Sequence, residues 1–415
     1  MKILILVNSI FTYGGEQRIV VQLANYLAMN NHLLIYTHDS DNAKETSPYL
    51  LNENIQLKYT KDFLYAPKRP ISLLEFLRRF IRKISAKCGR IFPAFINEFA
   101  YLPKSYKTQW ENIIQKNNID VVIGVGGYYS LILSSINPKI SVIKIGWEHS
   151  SFEAYFETKG IWYWNIKKLF AISLHNLDLC VILNRDMERK CRQNFNAKTK
   201  VIVDAISFNS VQKSTLENKI IIAVGRLEYV KRFDLIIKAF SLFKKDIKNN
   251  EWKLWIIGDG NEFKALYELA IQLNIVNDVV FKGYTNDIKS YYLNASIFIM
   301  SSRWEGLSLV TLEAMECGLP VICSNIPVMH EIIDSNSGII VENNNENDFA
   351  NAINLLANNI ELRKKLSIGA INRALNFHED VIMAQWDSLL DQLYKNSTRK
   401  KKLDSNYSKN KKIIK

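Results

Sequence analysis

The chain has 415 residues, 48% of them hydrophobic and 23% charged, with a formal net charge of +13; that is enough apolar material for two sizeable cores, and length alone points to two or three domains. Its five cysteines (Cys88, Cys180, Cys191, Cys317 and Cys323) are odd in number, with no C-x-x-C pair and no histidine at ligand spacing. They exclude a disulfide framework and a structural zinc site, which fits a reducing cytosol, and no repeat of solenoid length is present.

The opening MKILILVNS carries an apolar run too short for a signal peptide and reads as a first strand, Lys2–Val7. Gly14 and Gly15 follow and open a helix whose apolar face is Ile19, Val20, Leu23, Ala24 and Leu27. Two glycines let a backbone approach a ligand closely, and a helix start offers N–H groups to phosphate, although a tight turn alone accounts for the pair equally well. After a second strand, His32–Thr37, the triplet Asp39-Ser40-Asp41 has the form of a metal-binding Asp-x-Asp; far from every other candidate feature, it reads as a solvated turn.

Lys68–Lys107 holds ten Lys/Arg against Glu75 and Glu98. Within it Leu73, Leu77, Phe80, Ile81 and Ile84 recur at helical spacing, with Arg78, Arg79 and Arg82 on the opposite side. That is a basic amphipathic helix suited to an anionic membrane surface, or else a surface helix with its stripe in the core. Nucleic acid is the weaker reading, since no recognition motif or base-stacking set accompanies the charge. The last twenty residues, 396–415, hold eight Lys/Arg against one Asp and read as a disordered basic tail.

Further strands are expected at Ile119–Val125, Ser141–Gly146 and Asp178–Leu183. The uncharged stretch Val121–Pro138 approaches membrane-spanning length, but Gly124, Gly126 and Gly127 divide it into strand, turn and helix. His149 follows a strand end, where ligands collect on α/β sheets, although a lone histidine is more often a hydrogen-bonded structural residue. The polar stretch 208–218 reads as a linker, and a second series of strands follows: Ile220–Val224, Lys253–Ile257, Val279–Lys282, Ile297–Met300, Val321–Ser324 and Gly338–Val341. Alternation of this kind means parallel sheets with crossover helices.

In the second series Gly225-Arg226 ends a strand, Lys231 completes the turn, and a helix begins near Arg232. A guanidinium and an ammonium in such a loop suit a diphosphate. Trp252–Gly260 (WKLWIIGDG) repeats the plan, and RWEGLSLVTLEAMECGLP sets Glu305 and Glu313 astride a helix start. Backbone N–H groups there favour an anion. Neither a Walker loop nor a complete G-x-G-x-x-G follows any strand, which removes the main support for ATP hydrolysis or dehydrogenase chemistry.

VGRLEYVKRFDLIIKAF, IIGDGNEF, VVFKGYTNDI, SSRWEGLSLVTLEAMECGLPVI and SGIIV, in that order between Val224 and Val341, resemble the retaining nucleotide-sugar glycosyltransferases of family four, which have the GT-B fold. The resemblance runs from Met1 to about Lys395 and implies an α/β chain of two Rossmann-like parallel-sheet domains facing a central cleft. These would be an acceptor-side domain at 1–206, a nucleotide-sugar domain at 207–378, a returning helix at 379–395 and the tail at 396–415.

It further implies that Arg226 and Lys231 hold the diphosphate with helix N-termini at Gly15 and around Ser308-Leu309. Glu305 would hold the sugar beside the Gly306-Leu307 backbone, Glu313 the ribose hydroxyls, and Lys282-Gly283 the base. Gly14 and Gly15 would lie against diphosphate and acceptor, and His149 against the transferred sugar. Asp204 departs from the asparagine that relatives commonly carry before the interdomain crossing. The implied donor is a nucleotide sugar, with UDP preferred, and the acceptor a glycan or lipid-linked saccharide; neither cofactor nor metal is expected. The expected location is the cytoplasm, at the inner face of the membrane where Lys68–Lys107 and the basic tail touch lipid. A catalytically silent nucleotide-sugar-binding or assembly subunit is the alternative.

Overall fold

Each series of apolar runs closes into its own sheet. The computed structural model describes residues 1–12, 14–39, 49–60, 73–342 and 345–413, with side chains to 397. The chain divides into two units, Met1–Val203 with Ile382–Lys415, and Asp204–Val381.

The first unit holds β1 (Lys2–Leu6), β2 (His32–Thr37), β3 (Gln56–Tyr59), β4 (Val121–Val125), β5 (Ile143–Glu148), β6 (Leu179–Ile182) and β7 (Thr199–Val201), in the order β3-β2-β1-β4-β5-β6-β7. All neighbours are parallel. The second holds β8 (Ile220–Val224), β9 (Lys253–Ile257), β10 (Val279–Gly283), β11 (Ile297–Met300), β12 (Val321–Ser324) and β13 (Gly338–Val341), in the order β10-β9-β8-β11-β12-β13, again parallel. Both sheets reverse strand order beside their first strand, so the expectation of two Rossmann-like parallel sheets holds.

Central strands such as β4 and β5 are buried throughout because helices cover both faces, and a strand so placed must be apolar at every position. The two strands absent from the sequence reading are the sheet's edges. β3 (QLKY) and β7 (TKV) have one neighbour each, and β3 alternates exposed and half-buried residues, so neither carries the continuous apolar signal. Val121–Pro138 is β4, a glycine turn and the helix Gly127–Ser134. Among the described residues no helix is long and apolar enough to cross a membrane.

The last helix, Glu379–Ile413, buries Ile382, Met383, Trp386, Leu389 and Leu390 in the first unit, Trp386 meeting Trp147 edge-on at 5.1 Å. It runs on to Ile413, within the stretch read from composition as a disordered basic tail; no Gly or Pro interrupts 379–415, so composition alone does not stop a helix already nucleated on the core. The stretch 208–218 is no free linker. Ser210 and Lys213 bond Glu316, and Arg363 donates to the Leu216 carbonyl at 3.2 Å.

Two further expectations change. Asp39 is buried, accepting from Ser9 Oγ (2.6 Å), the Ile10 amide (2.7 Å) and Thr37 Oγ1 (2.7 Å), so it pins the β1 and β2 loops together; Ser40 and Asp41 lie outside the described residues. In the helix Leu73–Cys88 Arg78 and Arg82 face inward, donating to the carbonyls of Phe99 and Ala100, while Arg79 is exposed, Leu73, Leu77 and Phe80 face outward, and Ile81 and Ile84 are half-buried. Residues 68–72 of the basic segment are outside the described residues.

Of the cysteines only Cys88 is exposed. Burial raises the thiols of Cys180, Cys191 and Cys323, and pushes that of Cys317 up to about 12.

Candidate active site

Sheet order decides which loops meet. With β8 between β9 and β11, the loops leaving β8 and β11 part at the point where strand order reverses, the usual entry for a ligand on an open parallel sheet. The Arg303 amide donates to the Val230 carbonyl at 2.9 Å, and Ser301 Oγ reaches the carbonyls of Lys231 (2.8 Å) and Arg232 (2.7 Å). On the other flank the Leu227 amide donates to the Asp259 carbonyl at 2.8 Å. Glycine is required there: a Cβ on Gly258 would sit 2.0 Å from the Gly225 carbonyl oxygen, and one on Gly260 2.4 Å from that of Leu227.

Across this seam Lys231 Nζ donates to Glu305 Oε1 at 2.6 Å, and Ser302 Oγ donates to the same oxygen at 2.6 Å. The side chains of Lys231 and Glu305 keep only 19% and 11% of their exposure, so the pair is fixed yet reachable. Arg226 stands on the same loop but faces solvent, paired with Glu228 at 3.1 Å. Lys231 and Glu305 are therefore brought together, with Arg226 on the outer side of their loop.

The loop concentrates further positive charge. Arg232, in the left-handed region at φ 53°, caps the helix Phe233–Phe243; it is buried, and its Nε has no hydrogen-bond partner among the described residues. Burial and the neighbouring Arg303 hold its pKa below the ordinary value. Arg303 lies 4.1 Å over the Tyr229 ring.

The helix Leu309–Glu316 begins just beyond Ser308. Ser308 Oγ is turned inward, 2.8 Å from Thr311 Oγ1 and 3.2 Å from Met300 Sδ, so Ser308-Leu309 can offer a ligand backbone N–H groups rather than a hydroxyl. Gly306 is buried and Leu307 half-buried in the loop. Glu313 is buried and accepts from Tyr292 OH at 3.4 Å. Lys282 Nζ lies 5.3 Å over the Trp255 ring, and the Gly283 carbonyl accepts from the Gly258 amide at 2.8 Å.

In the first unit Gly14 and Gly15 open the helix Gly15–Ala28, and Tyr49 OH bonds both the amide and the carbonyl of Gly14, at 3.2 and 3.0 Å. Tyr13 is outside the described residues. His149 follows the last residue of β5, its ring 4.4 Å from that of Trp147. Glu148 is fully buried and accepts from Ser130 Oγ at 2.5 Å. Burial pushes its carboxyl up to about 7, opposed by the Ser130 bond and by His149, and assisted by Glu16.

Sequence reasoning passed over the residues that hold these groups. Ser301 and Ser302 are buried small hydroxyls directly after the apolar run SIFIM, and that position at a strand's C-terminal end was the available signal. Glu316 had none. It is buried, with the Ser210 amide at 2.8 Å, Lys213 Nζ at 2.9 Å and His378 Nε2 at 2.9 Å; burial alone would raise its carboxyl, but these partners hold it below the ordinary value. Among the described residues no group of three or more His, Cys, Asp or Glu is arranged to hold a metal ion.

Residues 207–373 match the family model described as glycosyl transferases group 1. An uncharacterized glycosyltransferase of Haemophilus influenzae is 26% identical over 397 residues, 94% of this chain and 99% of that protein. The amylovoran biosynthesis glycosyltransferase AmsD of Erwinia amylovora is 24% identical over 400 residues, again 94% and 99%. Among solved structures, a mutant of S. aureus TarM in complex with fondaparinux, alpha-GlcNAc-glycerol and UDP superposes with a TM-score of 0.70 at 16% identity, covering 95% of this chain and 99% of that one. The match over residues 207–373, together with two parallel sheets of GT-B form, makes the chain similar to the glycosyl transferases of group 1.

Proposed function

We propose that the protein is a metal-independent, retaining hexosyltransferase that moves a sugar from a UDP-sugar to a glycan or lipid-linked saccharide in surface polysaccharide synthesis, working in the cytoplasm at the inner face of the membrane. The observation that carries this reading is the Lys231–Glu305 pair, set by Ser302 where the second sheet reverses. The solved relative with UDP and the amylovoran enzyme support the choice of donor and pathway class.

Breaking the anomeric C–O bond puts negative charge on the departing diphosphate. Lys231, Arg226 and the N–H groups at Ser308-Leu309 receive it, and such fixed dipoles stabilise the transition state more than the ground state. Glu305 already accepts two hydrogen bonds on Oε1, which leaves Oε2 for a sugar hydroxyl beside Gly306 and Leu307. Glu313 takes the ribose, Lys282 and Gly283 the base, and His149 with Gly14 and Gly15 the sugar and acceptor side. The acceptor attacks on the face the diphosphate leaves, which keeps the anomeric configuration.

A panel of UDP-, GDP- and ADP-sugars, read by the rise in melting temperature, identifies the donor. Arg226→Ala and Lys231→Ala should each lower nucleoside diphosphate release by about 100-fold or more. Donor binding without turnover on any lipid-linked acceptor would instead indicate a silent binding subunit. Undiminished release in both variants would refute the charge-receiving role.

A further inference from the structure

A helix on a water-soluble protein ordinarily buries its apolar stripe and exposes its charges. Leu73–Cys88 departs from this: Leu73, Phe76, Leu77 and Phe80 are exposed while Glu75, Arg78 and Arg82 are partly covered, with Ile81 and Ile84 half-buried. Its inward side is Glu75, Arg78, Arg82 and Ser85: Arg82 pairs with Glu75 at 2.9 Å and donates to the Ala100 carbonyl at 3.0 Å, and Arg78 donates to the Phe99 carbonyl at 3.1 Å. Its outward side exposes Leu73 by 85%, Phe76 by 62%, Leu77 by 46% and Phe80 by 53%. The next helix, Ala94–Tyr101, packs beside it and adds exposed Phe95 and Phe99, with the Arg78 guanidinium 4.9 Å over the Phe99 ring. Isolated exposed apolar residues are ordinary, but a continuous set on one face held outward by polar ties marks an interaction surface.

Charge selects the occupant. Between 73 and 107 there are eight Lys/Arg and two carboxylates, and both carboxylates are spent internally, Glu75 on the arginines and Glu98 on Lys107 at 2.7 Å. Lys83 and Lys87 flank the apolar residues on the helix, exposed and with no carboxylate partner among the described residues. A second copy packed symmetrically through this face would bring like charges together. Anionic lipid headgroups over an apolar interior match both the rim and the centre.

We infer that the outer face of Leu73–Cys88, extended by Phe95 and Phe99, lays the first unit on an anionic bilayer, its rings in the headgroup boundary and Lys83 and Lys87 against lipid phosphates. The inference deepens the inner-face placement proposed above and rests on it for its purpose, but it is tested separately.

Full-length protein is sedimented with vesicles of phosphatidylethanolamine and phosphatidylglycerol in equal parts, and with phosphatidylcholine vesicles as control. Wild type should pellet with the anionic vesicles alone, and high salt should release it. The double variant Phe76→Ser with Phe80→Ser should lose more than about tenfold in partitioning, because two half-inserted rings are removed. Lys83→Glu with Lys87→Glu should weaken binding and flatten its salt dependence. Each variant's melting temperature and its rise with UDP are measured without vesicles, so that a failed donor reading is told apart from a failed surface reading. Wild type remaining in the supernatant, a serine variant that binds like wild type, or light scattering that shows a dimer abolished by the serine variant would each overturn the inference.

Discussion

Glu148 gives the first unit a pH dependence whose size and sign follow from its surroundings. A carboxyl held at about 7 against an ordinary 4.5 corresponds to roughly 3 kcal/mol of stability. Below the ordinary value both folded and unfolded chains keep the proton and nothing is lost. As pH climbs toward 7 the unfolded chain has released a proton that the folded chain still holds, so stability falls with rising pH; above the folded value the whole penalty remains. Glu148→Gln keeps an oxygen for Ser130 Oγ and removes the ionisation. The variant should match wild type near pH 4.5 and exceed it by up to about 3 kcal/mol at pH 8, or about 6–10 °C in melting temperature for a unit of this size. Scanning calorimetry of both proteins across that range measures the difference, in which titrating groups distant from Glu148 cancel. A difference that stays constant from pH 4.5 to 8 would refute a buried, proton-holding Glu148.

Glu316→Ala strips the Ser210 amide, Lys213 and His378 of a shared partner, and should destabilise the second unit by about 3–5 kcal/mol in urea denaturation. Because the folded carboxyl is held low, its contribution is present above the unfolded pKa and lost as pH falls through the folded one, so the variant should also lose less stability on acidification. Gly258→Ala drives a methyl group against the Gly225 carbonyl and should cost at least about 2 kcal/mol along with the melting response to donor; a stable alanine variant with a normal response would show the loops to be independent.

Strands covered on both faces announce themselves, and β1, β4, β8 and β11 were readable because each is a short unbroken apolar run. Lys231 and Glu305 could be paired across 74 positions for the same reason, since each lies just past the end of such a strand. Polar residues that serve geometry carry no comparable pattern. Glu316 resembles any helix-borne glutamate until Ser210 and His378 arrive from distant parts of the chain, and Ser302 is one serine among many. Helical spacing located the stripe of Leu73, Leu77 and Phe80 but not its direction, because the Arg–Glu ties that turn it outward depend on carbonyls of the following helix.

The distribution of thiols gives the molecule a built-in handle. Four sulfurs are sealed in the cores with their ionisation suppressed, which leaves Cys88 as the one readily alkylated position. That position closes the outward-facing helix Leu73–Cys88. An environment-sensitive dye attached to the native chain would consequently sit beside the phenylalanine-rich patch without any engineered cysteine, and its colour would report what that patch touches.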